Sequence, residues 1–208
     1  MTTFTLSASP DTDIWRKPPS KDIFNGTLPT HTPSSPPHTH PTIKPLSTFI
    51  SATVTIPSKA YTHQYDQSGL LLTFSRPSSP SSGPSPEKWI KAGIELYNGS
   101  PRFSVVACDH WADWSVTPLV SDPSESDPEW TTLSIEKEGD GNGISLWVYQ
   151  VLENGKRKEP VREICWVFGD KGGEGWEVGV SAMAARPAKG EEIGELKVEG
   201  KDLKVKWD

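Results

Sequence analysis

The run Trp89 to Leu96, WIKAGIEL, is where residue types first suggest chemistry. Alternation along an extended chain puts Ile90, Ala92, Ile94 and Leu96 on one face and Trp89, Lys91, Gly93 and Glu95 on the other. The first face is core. The second is either a solvated outer face or a concave sheet surface that offers a cation, a carboxylate and an indole to a polar ligand. Upstream, Tyr65-Asp66-Gln67 adds an amide and a carboxylate, with Gln67 on the side of Gly69 and Leu71 unless a bulge at Gly69 intervenes. Downstream, His110-Trp111-Ala112-Asp113-Trp114-Ser115 sets two indoles beside a carboxylate and an imidazole. Indole faces stack pyranose rings while carboxylates and amides take the hydroxyl hydrogens, because a buried polar ligand must keep its hydrogen bonds. Taken singly, each of these tryptophans reads first as core or edge packing.

Arg162, on the side of Ile164, Trp166 and Phe168 in VREICWVF, could clamp a carboxylate or phosphate with its planar fork, or pair with an internal acid such as Glu95. The ligand-binding candidates are therefore Tyr65, Gln67, Trp89, Lys91, Glu95, Asp113, Trp114 and Arg162. Trp89 and Trp114 would stack, Gln67, Asp113 and Glu95 would hydrogen-bond, and Lys91 and Arg162 would recognise charge. A glycosidase would need two carboxyl groups across a cleft, for which Glu95 and Glu177 are the weak catalytic candidates. Both lie on strand faces opposite core residues, yet the ExDxxE pattern of single-strand jelly-roll glucanases is absent.

Stronger motifs are missing too. The chain has no Gly-rich phosphate loop, HExxH, GxSxG, CxxC or DxDxDG sequence, so nucleotide hydrolysis, zinc proteolysis, α/β-hydrolase chemistry and EF-hand calcium binding lack support. His31, His38 and His40 sit in a Pro/Thr-rich stretch that cannot hold coordination geometry cheaply, and neither a metal nor a cofactor is expected. Cys108 and Cys165 have apolar flanks, which favour buried thiols over a bridge or a nucleophile.

The elements that must carry these residues are short and β-rich. Phe49 to Ile56, Trp89 to Leu96 and Ile144 to Val151 alternate with period two, and runs of helical period are absent. Further candidates are Leu70 to Phe74, Phe103 to Cys108, Trp130 to Lys137, Val161 to Phe168, Trp176 to Ala182, Glu195 to Val198 and Leu203 to Trp207. Turn formers at Gly139 to Gly143, Asn154-Gly155, Gly172-Gly173 and Gly200-Lys201 favour antiparallel reversals. About ten strands with no fixed repeat make an all-β, antiparallel β-sandwich of jelly-roll type.

Prolines, twenty in 208 residues, mark what lies outside the strands, since they lack the amide proton that a ladder needs. They set off residues 1–48 as an N-terminal arm packing on a sandwich of residues 49–208, a Ser/Pro-rich loop insertion at 75–88, and the acidic loop Asp122 to Glu129. Whether the arm covers the Trp-rich face is left open. With 34% hydrophobic residues and nine Trp, a sizeable core is available. The net charge of −6 lacks the basic footprint of a protein that grips nucleic acid or anionic lipid, so neither is expected as a partner. A start without a basic or apolar leader region and the absence of any long apolar stretch suggest a soluble, non-secreted, cytoplasmic protein. The sequons Asn25-Gly26-Thr27 and Asn98-Gly99-Ser100 would then be idle.

The segments TDIWRKPP, HQYDQSGLLL, WIKAGIEL, DWSV and VGVSAMAARP together resemble the fungal regulation of enolase protein family, over Phe4 to Asp208. The stretch Ser75 to Glu87 and the histidine-bearing arm look like insertions relative to it. The resemblance implies a cytoplasmic domain of unknown function with a concanavalin A-like lectin/glucanase fold and a link to glycolysis through enolase, with no established catalytic residues. It adds Asp66 and Ser115 to the positions of interest. The resulting expectation is a non-catalytic binding or regulatory protein of carbohydrate metabolism, holding a carbohydrate or small polar metabolite on the concave face. The alternatives are an adaptor regulating a glycolytic enzyme such as enolase, and an enzyme, either a glycosidase or a small-molecule cyclase, working inside the sandwich.

Overall fold

In the computed structural model, which describes residues 2–28, 42–77, 85–121 and 129–208, alternating hydrophobic strands close into two layers. The strands are β1 (Thr3–Ala8), β2 (Ile14–Lys17), β3 (Lys21–Phe24), β4 (Thr42–Pro45), β5 (Phe49–Pro57), β6 (Gln67–Ser75), β7 (Lys88–Tyr97), β8 (Ser100–Cys108), β9 (Ala112–Pro118), β10 (Trp130–Asp140), β11 (Gly143–Leu152), β12 (Arg157–Ile164), β13 (Glu177–Ala185) and β14 (Leu196–Trp207). One six-stranded sheet runs β1-β14-β5-β10-β11-β12 and the other β4-β13-β6-β7-β8-β9, while β2 and β3 form a separate hairpin. Every strand pair is antiparallel. The fold is an all-β, antiparallel β-sandwich of two six-stranded sheets.

The period-two pattern explains the layering. Ile90, Ala92 and Ile94 of β7, Leu70, Leu72 and Phe74 of β6, and Phe103 and Val105 of β8 point inward against Ala52, Val54 and Ile56 of β5 and Leu133 and Ile135 of β10. Each large apolar side chain so buried contributes about 1.5–3 kcal/mol. The opposite face of the second sheet is not left to water. Leu71, Trp89, Val106, Cys108 and Met183 on that face are buried with Ile14 of the β2–β3 hairpin. Arg16 pins the hairpin by donating to the backbone carbonyls of Pro86 and Glu87 at 2.9 and 3.0 Å, with Asp22 3.2 Å from its Nε. Thr27 then pairs with Ala184 at the β13 edge.

Several sequence expectations are corrected. The first 48 residues contain β1 and β4 as sheet edges and the hairpin between them, strands that proline density hid. Val161 to Phe168 is not one strand: β12 ends at Ile164 and a 3-10 turn follows at Trp166–Phe168. Gly200-Lys201 is not a hairpin turn either, because β14 continues to Trp207 and absorbs the irregularity as a register shift between Lys201 and Lys204. Cys165 lies exposed before the 3-10 turn rather than buried, and Cys108 is buried.

Two features set the floor and end wall of the covered face. Gly69 of β6 lies directly opposite Gly93 of β7, and the strands approach so closely that a Cβ on Gly93 would meet the Ser68 carbonyl oxygen at 1.9 Å. At the strand ends, the Asp66 carboxylate takes Arg186 Nε and Nη2 at 2.9 and 2.7 Å and the Thr62 and His63 backbone N–H groups at 2.9 Å each. Arg186 spends its remaining donors on Thr62 Oγ1 and the Ile193 and Gly194 carbonyls. Asp66 is 0% and Arg186 4% exposed, so removing one partner leaves a buried charge uncompensated. Asp66→Asn is expected to lower unfolding free energy by about 3–5 kcal/mol, read by urea denaturation. Gly93→Ala should cost about 3 kcal/mol or more by overpacking, and an alanine variant as stable as the parent would contradict this close approach.

Candidate functional site

Beside the hairpin, the outer face of β6, β7 and β9 encloses a cavity of about 410 Å³. Its floor carries Lys91, Glu95 and Gln67. Gln67 opens β6 directly opposite Glu95, while Lys91 lies opposite Leu71 further along β7. The walls are aromatic: Trp15 from β2 meets Trp114 of β9 edge-on with ring centres 6.4 Å apart, and Tyr65 meets the same indole at 6.3 Å. Tyr65 sits at φ +68°, a left-handed conformation costly for a side chain of this size. It is held there because its N–H donates to the Leu96 carbonyl at 2.8 Å and Asp66 beside it is locked in the ion pair with Arg186.

Each charged group on the floor is only partly served. Lys91 is 5% exposed; its Nζ donates to Gln67 Oε1 at 2.6 Å and lies 3.6 Å from Asp13 Oδ1. Burial pulls its ammonium below the usual lysine range, against the opposing charges of Asp13 and Glu95. Glu95 is 4% exposed; its Oε2 accepts from the Ser104 hydroxyl at 2.5 Å and from Trp114 Nε1 at 3.2 Å. Burial raises its carboxyl above the usual range, opposed by Lys91 and by these two donors. The other oxygen, Oε1, accepts no hydrogen bond among the described residues. A floor with spare donors on an ammonium and a spare acceptor on a carboxyl can hold a ligand that both accepts and donates.

Of the residues singled out in the sequence, Tyr65, Gln67, Lys91, Glu95 and Trp114 come together here. Trp89 shares the face but is 0% exposed beneath the hairpin, so it supports the floor and stacks on no ligand. Its Nε1 is buried with no hydrogen-bond partner among the described residues. Asp113 and Arg162 pair with each other instead, tying β9 of one sheet to β12 of the other around a separate hollow with Trp111. The partner of Arg162 is thus Asp113 and not Glu95. Glu177 cannot join Glu95: in the ladder Glu95 aligns with Gln67 and Ala185, while Glu177 lies eight residues further along β13, about 26 Å at strand rise. That is far beyond the roughly 5–9.5 Å between glycosidase carboxyls.

Asp13, Trp15, Lys17, Lys21 and Ser104 also serve this site and were not among the candidates. Asp13, Trp15 and Lys17 stand in the TDIWRKPP segment that carries the family resemblance. The proline-rich setting masked its strand, and no local pattern says which face the hairpin lands on. His31, His38 and His40 fall outside the described residues. Among the described residues no group of three or more His, Cys, Asp or Glu could hold a metal ion, and no helix is long and apolar enough to cross a membrane.

Fold and site define an antiparallel β-sandwich whose outer sheet face is roofed by the chain's own N-terminal hairpin over a buried Lys/Glu floor. The chain belongs to the family described as protein of unknown function (DUF1349), whose model matches residues 1–206. An uncharacterized protein of Emericella nidulans is 38% identical over 185 residues, 89% of this chain and 78% of that protein. The crystal structure of a functionally unknown protein from Saccharomyces cerevisiae superposes with a TM-score of 0.67 at 19% identity, covering 100% of this chain and 89% of that one; this likeness is one of fold. A GH43 glycoside hydrolase matches at a TM-score of 0.44 and 14% identity over 76% of this chain and 29% of its own, a likeness too slight to bear on fold or function.

The raised carboxyl has a consequence for stability. Between the ordinary glutamate range and the raised value, the folded chain keeps a proton that the unfolded chain has released, so stability falls as pH climbs through that window. Glu95→Gln removes this dependence and still accepts from Ser104 and Trp114. The variant is expected to be more stable than the parent at neutral pH by about 1 kcal/mol, roughly 2–4 °C in Tm, with the difference vanishing below the ordinary glutamate range. A variant less stable at every pH would contradict the assignment.

Proposed function

We propose that the cavity binds a small polar metabolite, a carbohydrate above all, and that the protein is a binding or regulatory module. The observation that carries this reading is a largely buried ammonium and carboxyl, Lys91 and Glu95, lining one cavity beneath aromatic walls, with Glu95 Oε1 still open to a donor. The ammonium can donate to ligand carbonyl or hydroxyl oxygens and the carboxyl oxygen can accept from ligand hydroxyl groups. Trp15, Tyr65 and Trp114 supply the apolar faces on which a sugar ring packs. The cavity volume lies in the range of small-molecule sites.

A catalytic reading of the same cavity is favoured by one observation, the opposite displacement of Lys91 and Glu95 from their ordinary ionisation ranges inside one cleft. Under that reading Glu95→Gln abolishes turnover while binding persists. The role we propose for the binding module is regulation in carbohydrate metabolism, as the family resemblance implies for a glycolytic enzyme such as enolase. The contact would be made by residues 29–41 of the proline-rich arm or residues 122–128 of the acidic loop, both outside the described residues. Deleting either segment should then abolish capture of purified enolase and leave cavity binding intact.

The first test is a thermal-shift panel of neutral sugars and sugar acids. A ligand at about 100 times its Kd adds roughly 2.7 kcal/mol, and the shift should disappear in Trp114→Ala. Binding that survives both Trp114→Ala and Lys91→Met would place the ligand elsewhere, and no shift with any member would overturn the reading.

A further inference from the structure

We propose that the ligand of this cavity is an organic anion, a polyhydroxylated acid whose carboxylate or phosphate is met by Lys91, Lys17 and Lys21 while its hydroxyl groups donate to Glu95. This rests on the binding reading above and narrows it to a charge class.

The hairpin carries the inference. Its register sets Lys17 directly opposite Lys21, and like charges directly opposite on paired strands are destabilising. Neither lysine has an acidic partner among the described residues, although the chain has 27 acidic residues against 21 basic ones. Both line the same cavity as Lys91. Three lysines therefore face one cavity against two carboxyl groups, Asp13 and Glu95, on a molecule whose net charge is −6. Asp13 is already engaged: its Oδ1 accepts from the Ile14 N–H at 2.8 Å and from Gln67 Nε2 at 3.4 Å. Burial keeps the Glu95 carboxyl protonated to higher pH than usual, which weakens its repulsion of an incoming anion. The aromatic walls require an organic body rather than a bare ion. An anion seated between the hairpin and β7 relieves the Lys17–Lys21 repulsion and gives Lys91 a charged acceptor beside Gln67 and Asp13.

Isothermal titration of the full chain with gluconate, glucose 6-phosphate, glucose and inorganic phosphate tests this. At least one of the two organic anions should bind tenfold or more tightly than glucose, the two arms deciding between carboxylate and phosphate. That preference should shrink as ionic strength rises. In the double variant Lys17→Ala/Lys21→Ala the preference for the acid over glucose should fall about tenfold. An unchanged or raised Tm will show that this variant is folded. Glucose binding as tightly as both acids, inorganic phosphate binding as tightly as glucose 6-phosphate, or a preference untouched by the double variant would overturn the inference and leave the binding reading standing. Failure of all four probes to bind would count against both.

Discussion

The Asp66–Arg186 ion pair is the constraint on which the rest of the site depends. A buried charge pair is a poor source of net stability, because desolvation consumes most of the Coulombic gain. Here every guanidinium donor is used, and the carboxylate takes two backbone N–H groups as well. The pair acts as a rivet. It joins the turn before β6, the end of β13 and the chain leading into β14, three segments distant in sequence. The backbone of Arg186 also exchanges hydrogen bonds with Thr12, at 3.1 and 2.9 Å, one residue before Asp13. The hairpin thus leaves the sandwich from the rivet, and Tyr65 is held beside it in its left-handed conformation.

What the rivet positions is a face that the molecule keeps dry at some expense. The hairpin seals Leu71, Trp89, Val106 and Met183 under Ile14, and beside that seal it leaves a polar cavity floored by a lysine and a glutamate. Removing charges from water raises the carboxyl and lowers the ammonium out of their ordinary ranges. A sandwich whose only demand was stability would fill such positions with apolar side chains. The Gly69–Gly93 approach is equally exacting, since a Cβ at either position would meet the backbone of the other strand. Cavity, buried charges and strained aromatic are one arrangement, held together by the hairpin and by the Asp66–Arg186 pair.

Legibility in the sequence followed the range of the physics. The face of β7 was readable because strand alternation is local: Ile90, Ala92 and Ile94 went inward and Lys91 and Glu95 outward, as period two requires. Gln67 kept its side because no bulge intervenes at Gly69. Trp89 was misjudged because alternation gives a face and not its cover, and the hairpin that buries it comes from more than sixty residues upstream. That Arg162 pairs with an acid was among the sequence's readings, but that the acid is Asp113 was not, because which partner a charge finds depends on how two sheet edges meet. Trp15 carries no local signal of its role, since its flanking prolines hide a strand whose hydrogen bonds run to a single partner.

By itself, the sequence determined the all-β sandwich, its antiparallel order, the core face of nearly every central strand and the presence of Lys91, Glu95 and Gln67 on one surface. These follow from periodicity and turn chemistry, which act over a few residues. Only the tertiary structure decided that this surface is roofed, that Trp15 and Trp114 wall it, that Asp66 finds Arg186, and that Glu177 lies at the far end. Each of those depends on the packing of segments distant in the chain, which local pattern does not encode.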